Sequence, residues 1–162
     1  MNIKQDYLEQ VESAWNELME VLTQCDDSQL DLPGASGYWS PKVVMAHITW
    51  GEREMIGVLE NRALIGSDLW NYPPDEHNRR IYDANKDRPL EEIRTEFLRV
   101  HADLWALLQN ISEEELTMPS KFRAMPPNWI PAQVLAGNTS SRYREHAQLL
   151  RDWLSSLHER NL

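Results

Sequence analysis

The sequence predicts an all-α fold, a four-helix bundle, from two observations. Four segments place apolar residues in steps of three and four over about twenty residues each, which is the spacing of an amphipathic helix facing a core. No segment shows the alternation of apolar and polar residues that is typical of a half-buried strand. Four long helices without strands bury their apolar faces best by packing together as a bundle.

The first helix is predicted over residues 4–25. Its stripe consists of Tyr7, Val11, Ala14, Leu18, Val21 and Cys25. The segment DLPGASGYW follows, and Pro33, Gly34 and Gly37 prevent the helix from continuing. Because Cys25 is the only cysteine, an intrachain disulfide and a cysteine-rich zinc site are both excluded.

The second helix is predicted over residues 40–61, with Ser40 as its N-cap and Pro41 at the first helical position. Its stripe is Val44, His47, Gly51, Met55 and Val58. Residues 62–88 contain a proline pair, many polar residues and weak periodicity. They indicate a loop with a short extra helix near 75–85, between the second and third long helices.

The third helix is predicted over residues 89–111, since Pro89 opens it and Glu91 and Glu92 suit the positive end of a helix dipole. Ser112 and Glu115 form a capping box for one further turn. The fourth helix is predicted over residues 131–157. The core is expected to include Val11, Leu18, Val44, Phe97, Leu104, Leu135, Leu150 and Trp153, together with the tryptophans at 15, 50 and 105.

Length and charge narrow the class of protein. The 162 residues fit one domain, 1–162, and carry 16 Lys and Arg against 26 Asp and Glu, a net charge of −10. We expect neither DNA nor RNA as a partner, because nucleic-acid affinity comes largely from cations and this acidic chain has no basic cluster. No long apolar run or signal-like segment occurs, so we expect a cytoplasmic protein without a membrane partner.

Polar residues interrupt two of the apolar stripes. His47 lies in the second stripe, and Asn138, Arg142 and His146 are four apart in the fourth helix, about 6 Å per step along one face. A buried arginine needs an anionic partner or a solvated cavity. A plainer interpretation stays open, in which His47 is a core histidine and Arg142 reaches solvent at the edge of the stripe.

The other histidines give weaker signals. We expect His101 to be packed or half-exposed, and His77 and His158 to be solvated. The chain has no glycine-rich phosphate loop, no HExxH pair, no G-x-S-x-G elbow and no cysteine-based metal motif. Motifs alone therefore do not name a reaction.

Three stretches together resemble a known family. They are WSPKVVMAHITWGERE at 39–54, DEHNRRIYDANKDRPLEEIRTEFLRVHADLWALL at 75–108 and GNTSSRYREHAQLLRDWL at 137–154. In their order and loop lengths they resemble the DinB/YfiT-like superfamily of four-helix bundles, in particular the branch that includes DfsB and ClbS. Each phrase is short, and the resemblance rests on the ordered set.

The resemblance implies a metal site that is incomplete here. Metal-binding relatives hold zinc or nickel with one histidine on the second helix and two histidines four apart on the fourth. These positions correspond to His47, Arg142 and His146, and a guanidinium offers donors only, so it cannot be a ligand. We therefore expect no cofactor, with zinc or nickel bound weakly by His47 and His146. A third ligand would have to come from Asn78, His101 or Glu54.

Four functions follow from the residues and the resemblance. In the first, the chain acts on a small electrophilic or anionic molecule without metal: His47 or His146 is the general base, Arg142 holds an anionic or carbonyl oxygen, and Asn78 and Asn138 orient the substrate. The second is a metal-dependent hydrolase or thiol-dependent transferase with a replaced ligand. The third is a non-catalytic binding protein, and the fourth is a bundle whose site has decayed. The partner is a small molecule in the first three, and a homodimer is compatible with the resemblance.

Overall fold

The computed structural model describes residues 2–160, and this part of the chain is helical, with no strand. The α-helices are α1 (Ile3–Thr23), α2 (Asp27–Leu30), α3 (Pro41–Asn61), α4 (Pro74–Asn85), α5 (Leu90–Gln109), α6 (Glu113–Thr117), α7 (Pro131–Gly137) and α8 (Ser140–Arg160). Two short 3-10 helices cover Asp68–Asn71 and Pro119–Lys121. None of the described helices is long and apolar enough to cross a membrane.

The four long helices α1, α3, α5 and α8 form the bundle. α3 packs chiefly against α5, and α1 packs against α8, while α3 also contacts α8 and the short helix α4. The prediction of a four-helix bundle with an extra helix between the second and third long helices is therefore confirmed.

The core consists of the residues that the stripes predicted. The eight aliphatic and aromatic side chains named above, from Val11 to Trp153, are all buried. Trp15 and Trp105 are partly buried and pack against this core. Trp50 differs, because it lines a cleft that is described below.

The fourth predicted helix is wrong as a single element. α7 ends at Gly137, and Asn138 and Thr139 separate it from α8. The side chains at the break bond back to the preceding turn: Asn138 donates to the carbonyl of Val134, and Thr139 to that of Leu135 at 2.8 Å. Such bonds compete with regular helix and favour a break.

The helix ends otherwise follow their signals closely. Ser40 accepts from the backbone of Val43, and the Ser112 capping box is present at the start of α6. The first helix ends at Thr23 rather than at Cys25, and α2 begins after it from a capping box on Asp26 that the sequence analysis did not predict.

Candidate functional site

A cleft of about 1180 Å³ opens between α3, α4 and the first half of α8, and the loop before α3 and the segment before α4 complete its rim. His47, Arg142 and His146 all line this cleft. The two histidine side chains are almost fully buried, and their rings are 5.8 Å apart between centroids. We call this space the cleft throughout.

Arg142 contacts His47 directly. Its Nη1 lies 3.4 Å from both Nδ1 and Nε2 of His47. Because a guanidinium can only donate, the contact requires an imidazole nitrogen that carries no proton. The geometry therefore favours neutral His47.

The electrostatics of the cleft agree with that geometry. Burial, with the charge of Arg142 as the next cause, lowers the pKa of His47 from 6.5 to about 3. The same two causes lower the pKa of His146 to about 4. Both imidazoles are therefore neutral at physiological pH, and Arg142 carries the charge at this end of the cleft.

The charge of Arg142 has no carboxylate partner. Among residues 2–160, no Asp or Glu oxygen lies within 4.0 Å of its guanidinium. Burial lowers the pKa of Arg142, and the nearby charge of Glu145 opposes that shift. A half-buried guanidinium facing a cleft without an ion pair is a site that favours an incoming anion or carbonyl oxygen.

His146 presents a different environment from His47. Both of its ring nitrogens are buried, and neither has a hydrogen-bond partner among the described residues. An unsatisfied buried polar group is costly, so it is a feature that structures retain mainly at functional sites. His47 thus has a polar contact with the guanidinium of Arg142, whereas His146 has no hydrogen-bond partner among the described residues.

His77 also belongs to the cleft, and the expectation that it is solvated was wrong. It lies on α4, and its ring is 4.4 Å from that of Trp50 and 6.5 Å from that of His47, between centroids. Burial and the charge of Arg142 lower its pKa. Its segment lacks periodicity, so no sequence signal placed this face of α4 over the cleft.

The two predicted asparagines have different positions. Asn78 lines the cleft beside His77. Asn138 does not: it ends α7 and packs its side-chain oxygen over Gly51 of α3. The helix break accounts for this, since Asn138 is no longer on the same continuous helix as Arg142.

A second polar cluster lies in the core, away from the cleft lining. Glu52 is fully buried, and its Oε2 accepts from the Tyr143 hydroxyl at 2.6 Å and lies 2.8 Å from Nδ1 of His101. The His101 ring stacks on Trp15 at 3.5 Å between centroids. His101 is thus packed, as expected, but the carboxylate partner was missed because it is distant in sequence.

The donor set in the cleft does not fit the metal triad of the resembling family. The imidazoles of His47, His77 and His146 line the cleft together with the guanidinium of Arg142. Residues 2–160 nevertheless contain no group of three His, Cys, Asp or Glu side chains arranged to hold a metal ion. Neither His101 nor Glu54 supplies the third ligand, because His101 contacts Glu52, and Glu54 accepts from Ser67. Weak zinc or nickel binding stays a prediction.

One comparison identifies a family, and another identifies solved structures that share the fold. The sequence model described as DinB superfamily matches residues 10–139. No curated protein sequence matches the chain. Among solved structures, one described as sibling lethal factor precursor DfsB has a TM-score of 0.79 at 19% identity, covering 95% of this chain and 96% of that one.

Two further structures share the fold. An uncharacterized protein from Clostridium difficile 630 has a TM-score of 0.79 at 14% identity, with 96% of this chain and 97% of that one covered. The colibactin self-resistance protein ClbS, solved in complex with a double-stranded DNA, has a TM-score of 0.75 at 14% identity, with 94% and 95% covered. Excluding nucleic acid as a partner on charge alone was therefore wrong, because a protein of this fold is seen with DNA.

Proposed function

This chain belongs to the DinB superfamily, and from that premise we propose that its cleft binds a small anionic or electrophilic molecule and acts on it without a complete metal triad. The observation that carries the proposal is the half-buried guanidinium of Arg142, which faces the cleft without a carboxylate partner. It occupies the place of a metal-ligating histidine and supplies a fixed positive charge there.

In this proposal Arg142 holds an anionic or carbonyl oxygen of the ligand. Charge-assisted hydrogen bonds from a guanidinium to an oxyanion are among the stronger polar contacts in proteins. If the ligand is an electrophile, the same donor stabilises negative charge that develops on its oxygen during attack by water. Asn78 also lines the cleft, and in this proposal its amide donates a hydrogen bond to the ligand or accepts one from it.

His47 is the better candidate for the general base. It is neutral, and it touches the guanidinium that the ligand would engage. A base with a pKa of about 3 is weak, but the field of Arg142 is one cause of that low value. An anion bound to Arg142 offsets that field, so the pKa of His47 rises when the ligand is present and its proton affinity improves. His146 is second, since its nitrogens are shielded from solvent.

The test uses thermal unfolding with a panel of small carboxylates and phosphate monoesters. A ligand that binds the folded chain raises its midpoint by mass action. We expect at least one anion to raise the midpoint of the wild type and to lose that effect in Arg142→Gln. Arg144→Gln is the matched control, because Arg144 is an exposed arginine on the same helix and its loss changes the net charge equally.

The result that contradicts the proposal is equally definite. If every anion that stabilises the wild type stabilises Arg142→Gln by the same amount, the guanidinium does not hold the ligand.

Turnover assays with activated esters and epoxides as electrophilic probes then separate an enzyme from a binding protein. Loss of turnover in His47→Gln with retained anion binding supports catalysis.

Double-stranded DNA is a second candidate ligand, favoured by one comparison, the ClbS structure with DNA. The test is fluorescence anisotropy of a labelled duplex at low and at moderate salt. Binding that weakens steeply with salt supports a phosphate-contacting surface. Equal binding by wild type and Arg142→Gln would place that surface outside the cleft.

A further inference from the structure

Aromatic rings form a continuous wall from Arg142 to the mouth of the cleft. His47 lies against Arg142, and the His47 and Trp50 rings are nearly parallel, at 18° and 6.1 Å between centroids. Trp70 continues the series at 5.0 Å from Trp50, with its ring inclined by 46° to that of Trp50. The His77 ring packs nearly perpendicular to both indoles, at 4.4 Å from Trp50 and 5.7 Å from Trp70. We call His47, Trp50 and Trp70 the aromatic wall.

Trp70 is held in place although half of it is exposed. Its indole nitrogen donates to Oε2 of Glu54 at 3.3 Å, and the same oxygen accepts from the backbone of Ser67 at 2.9 Å. Gly66 supplies the space for the ring, because a Cβ there would overlap Trp70 and Glu54. A tryptophan that is 49% exposed yet anchored at its polar end presents a ring surface to the cleft in a fixed position.

We infer that the ligand of the cleft carries a planar aromatic or conjugated group, which stacks on the half-exposed ring of Trp70, in addition to the anionic group held by Arg142. This rests on the proposed function and names its ligand class. Planar rings gain contact area and favourable stacking on indole faces, and a preformed wall requires little ordering when the ligand arrives.

The positive charge of Arg142 disfavours an aromatic cation as the ligand of the cleft. Indole faces also attract cations, so the wall alone would accommodate an organic ammonium ion. The lining also contains Arg79, Asp75, Glu76 and Glu145, but no described carboxylate forms an ion pair with Arg142. At the inner end of the wall the guanidinium therefore repels an organic cation and attracts an anion. The combination therefore selects an anion with a flat body.

The experiment compares four probes by isothermal titration with the wild-type chain. The probes are 2-naphthoate, its neutral analogue 2-naphthamide, the saturated acid trans-decahydronaphthalene-2-carboxylate, and 2-naphthylmethylammonium. We expect 2-naphthoate to bind about tenfold more tightly than each of the other three, a difference of about 1.4 kcal/mol. The amide tests whether the ligand needs a charge, and the ammonium tests whether that charge must be negative. The saturated acid tests whether the body of the ligand must be planar.

Variants then locate the stacking surface. Trp70→Leu is expected to weaken 2-naphthoate about fivefold and to leave the saturated acid nearly unchanged. Gly66→Ala keeps the indole but displaces it, so it should weaken 2-naphthoate in the same direction. Trp129→Leu is the control, since Trp129 is 44% exposed and lies outside the cleft.

The outcomes separate the two proposals. If both acids bind equally and both lose affinity in Arg142→Gln, the planar ligand class is overturned and the proposed anion site stands. If neither acid binds, the planar ligand class is overturned, and the panel of small anions with Arg142→Gln decides the proposed function separately. If the amide or the ammonium binds as tightly as 2-naphthoate, the requirement for an anionic group on the planar ligand is overturned. Equal losses of 2-naphthoate affinity in Trp70→Leu and Trp129→Leu overturn the assignment of the wall.

Discussion

At the scale of single residues, one guanidinium sets the ionisation of its neighbours. Arg142 stays protonated at any working pH, and it lies within hydrogen-bonding range of His47. Its charge and the burial of the cleft both disfavour a second positive charge, which is why both neighbouring imidazoles are neutral. Arg142 therefore carries the positive charge at this end of the cleft, while the two imidazoles carry none.

Replacing the guanidinium should therefore change the titration of both histidines. In Arg142→Gln, the pKa values of His47 and His146 are expected to rise, because one cause of their depression is removed. They should stay below 6.5, since burial is the larger cause and remains. Nitrogen-15 NMR of the imidazole rings against pH measures this directly. Arg144→Gln should leave both values unchanged, and unchanged values in Arg142→Gln would contradict the assignment.

A histidine at position 142 should create the missing metal ligand. Positions 142 and 146 are one turn apart on α8, and His47 faces them, so Arg142→His adds a third imidazole to the pair formed by His47 and His146 and removes a repelling charge. Zinc affinity is expected to rise by at least about tenfold, or 1.4 kcal/mol. Isothermal titration of untagged protein at about pH 7.5 measures it, a pH at which free imidazole is neutral.

The control for this variant is Arg144→His, which adds an exposed imidazole outside the cleft. It should not gain affinity. A wild type that binds zinc stoichiometrically at submicromolar concentration, with no gain in Arg142→His, would show that a third ligand exists elsewhere and that Arg142 has not displaced one.

At the scale of elements, α5 gives a direct test of the helical phase. Leu104 is fully buried in the bundle, whereas Leu98 on the same helix is 46% exposed. Leu104→Ala should lower the free energy of unfolding by roughly 2–5 kcal/mol, because a cavity remains in a close-packed core. Leu98→Ala should cost under about 1 kcal/mol. Urea denaturation gives both values, and similar losses would mean that the faces of α5 are assigned wrongly.

The sequence predicted elements where a local signal exists. Apolar spacing marked the long helices, and Ser40 and Ser112 marked two starts through capping that involves only adjacent residues. The break at Asn138 was not predicted, because polar residues that bond to the preceding turn also occur inside regular helices.

The candidate site was predictable only in part, because a local sequence signal exists for some of its residues and not for others. His47, Arg142 and His146 were found because they interrupt apolar stripes. His77 and Trp70 lie in segments without periodicity, and Glu52 meets His101 from 49 positions away. Contacts of this kind depend on how helices pack, and no spacing within one segment encodes them. The net charge of the whole chain also did not justify the exclusion of nucleic acid, since a protein of the same fold is seen with double-stranded DNA.

At the scale of the whole molecule, the buried polar groups connect the helices of the bundle. Tyr143 on α8 and His101 on α5 both meet Glu52 on α3, and Tyr7 on α1 bonds to Thr139 just before α8 at 3.0 Å. Each of the four long helices therefore has a specific polar contact in the core in addition to its apolar face. Such contacts restrict how the helices slide or rotate against one another, because a shifted register would leave a buried carboxylate without its donors.

The cleft histidines make the stability of the whole chain dependent on pH. Their pKa values are about 3 and 4 in the folded state, against about 6.5 in the unfolded chain. Well above pH 6.5, His47 and His146 are neutral in both the folded and the unfolded state and do not change the free energy of unfolding. As the pH falls, the unfolded chain takes up protons that the folded chain does not, so the free energy of unfolding decreases.

Between pH 7 and pH 5 this loss should be about 2 kcal/mol for each of His47 and His146, while both remain neutral in the folded state. His146→Gln should therefore lose about 2 kcal/mol less than the wild type over that interval. Urea denaturation at the two pH values measures the loss within each protein, so any destabilisation common to both pH values cancels. His158→Gln, which changes an exposed histidine near the end of α8, should behave as the wild type. An undiminished loss in His146→Gln would mean that His146 takes up its proton in the folded state, and that Arg142 and burial do not keep it neutral.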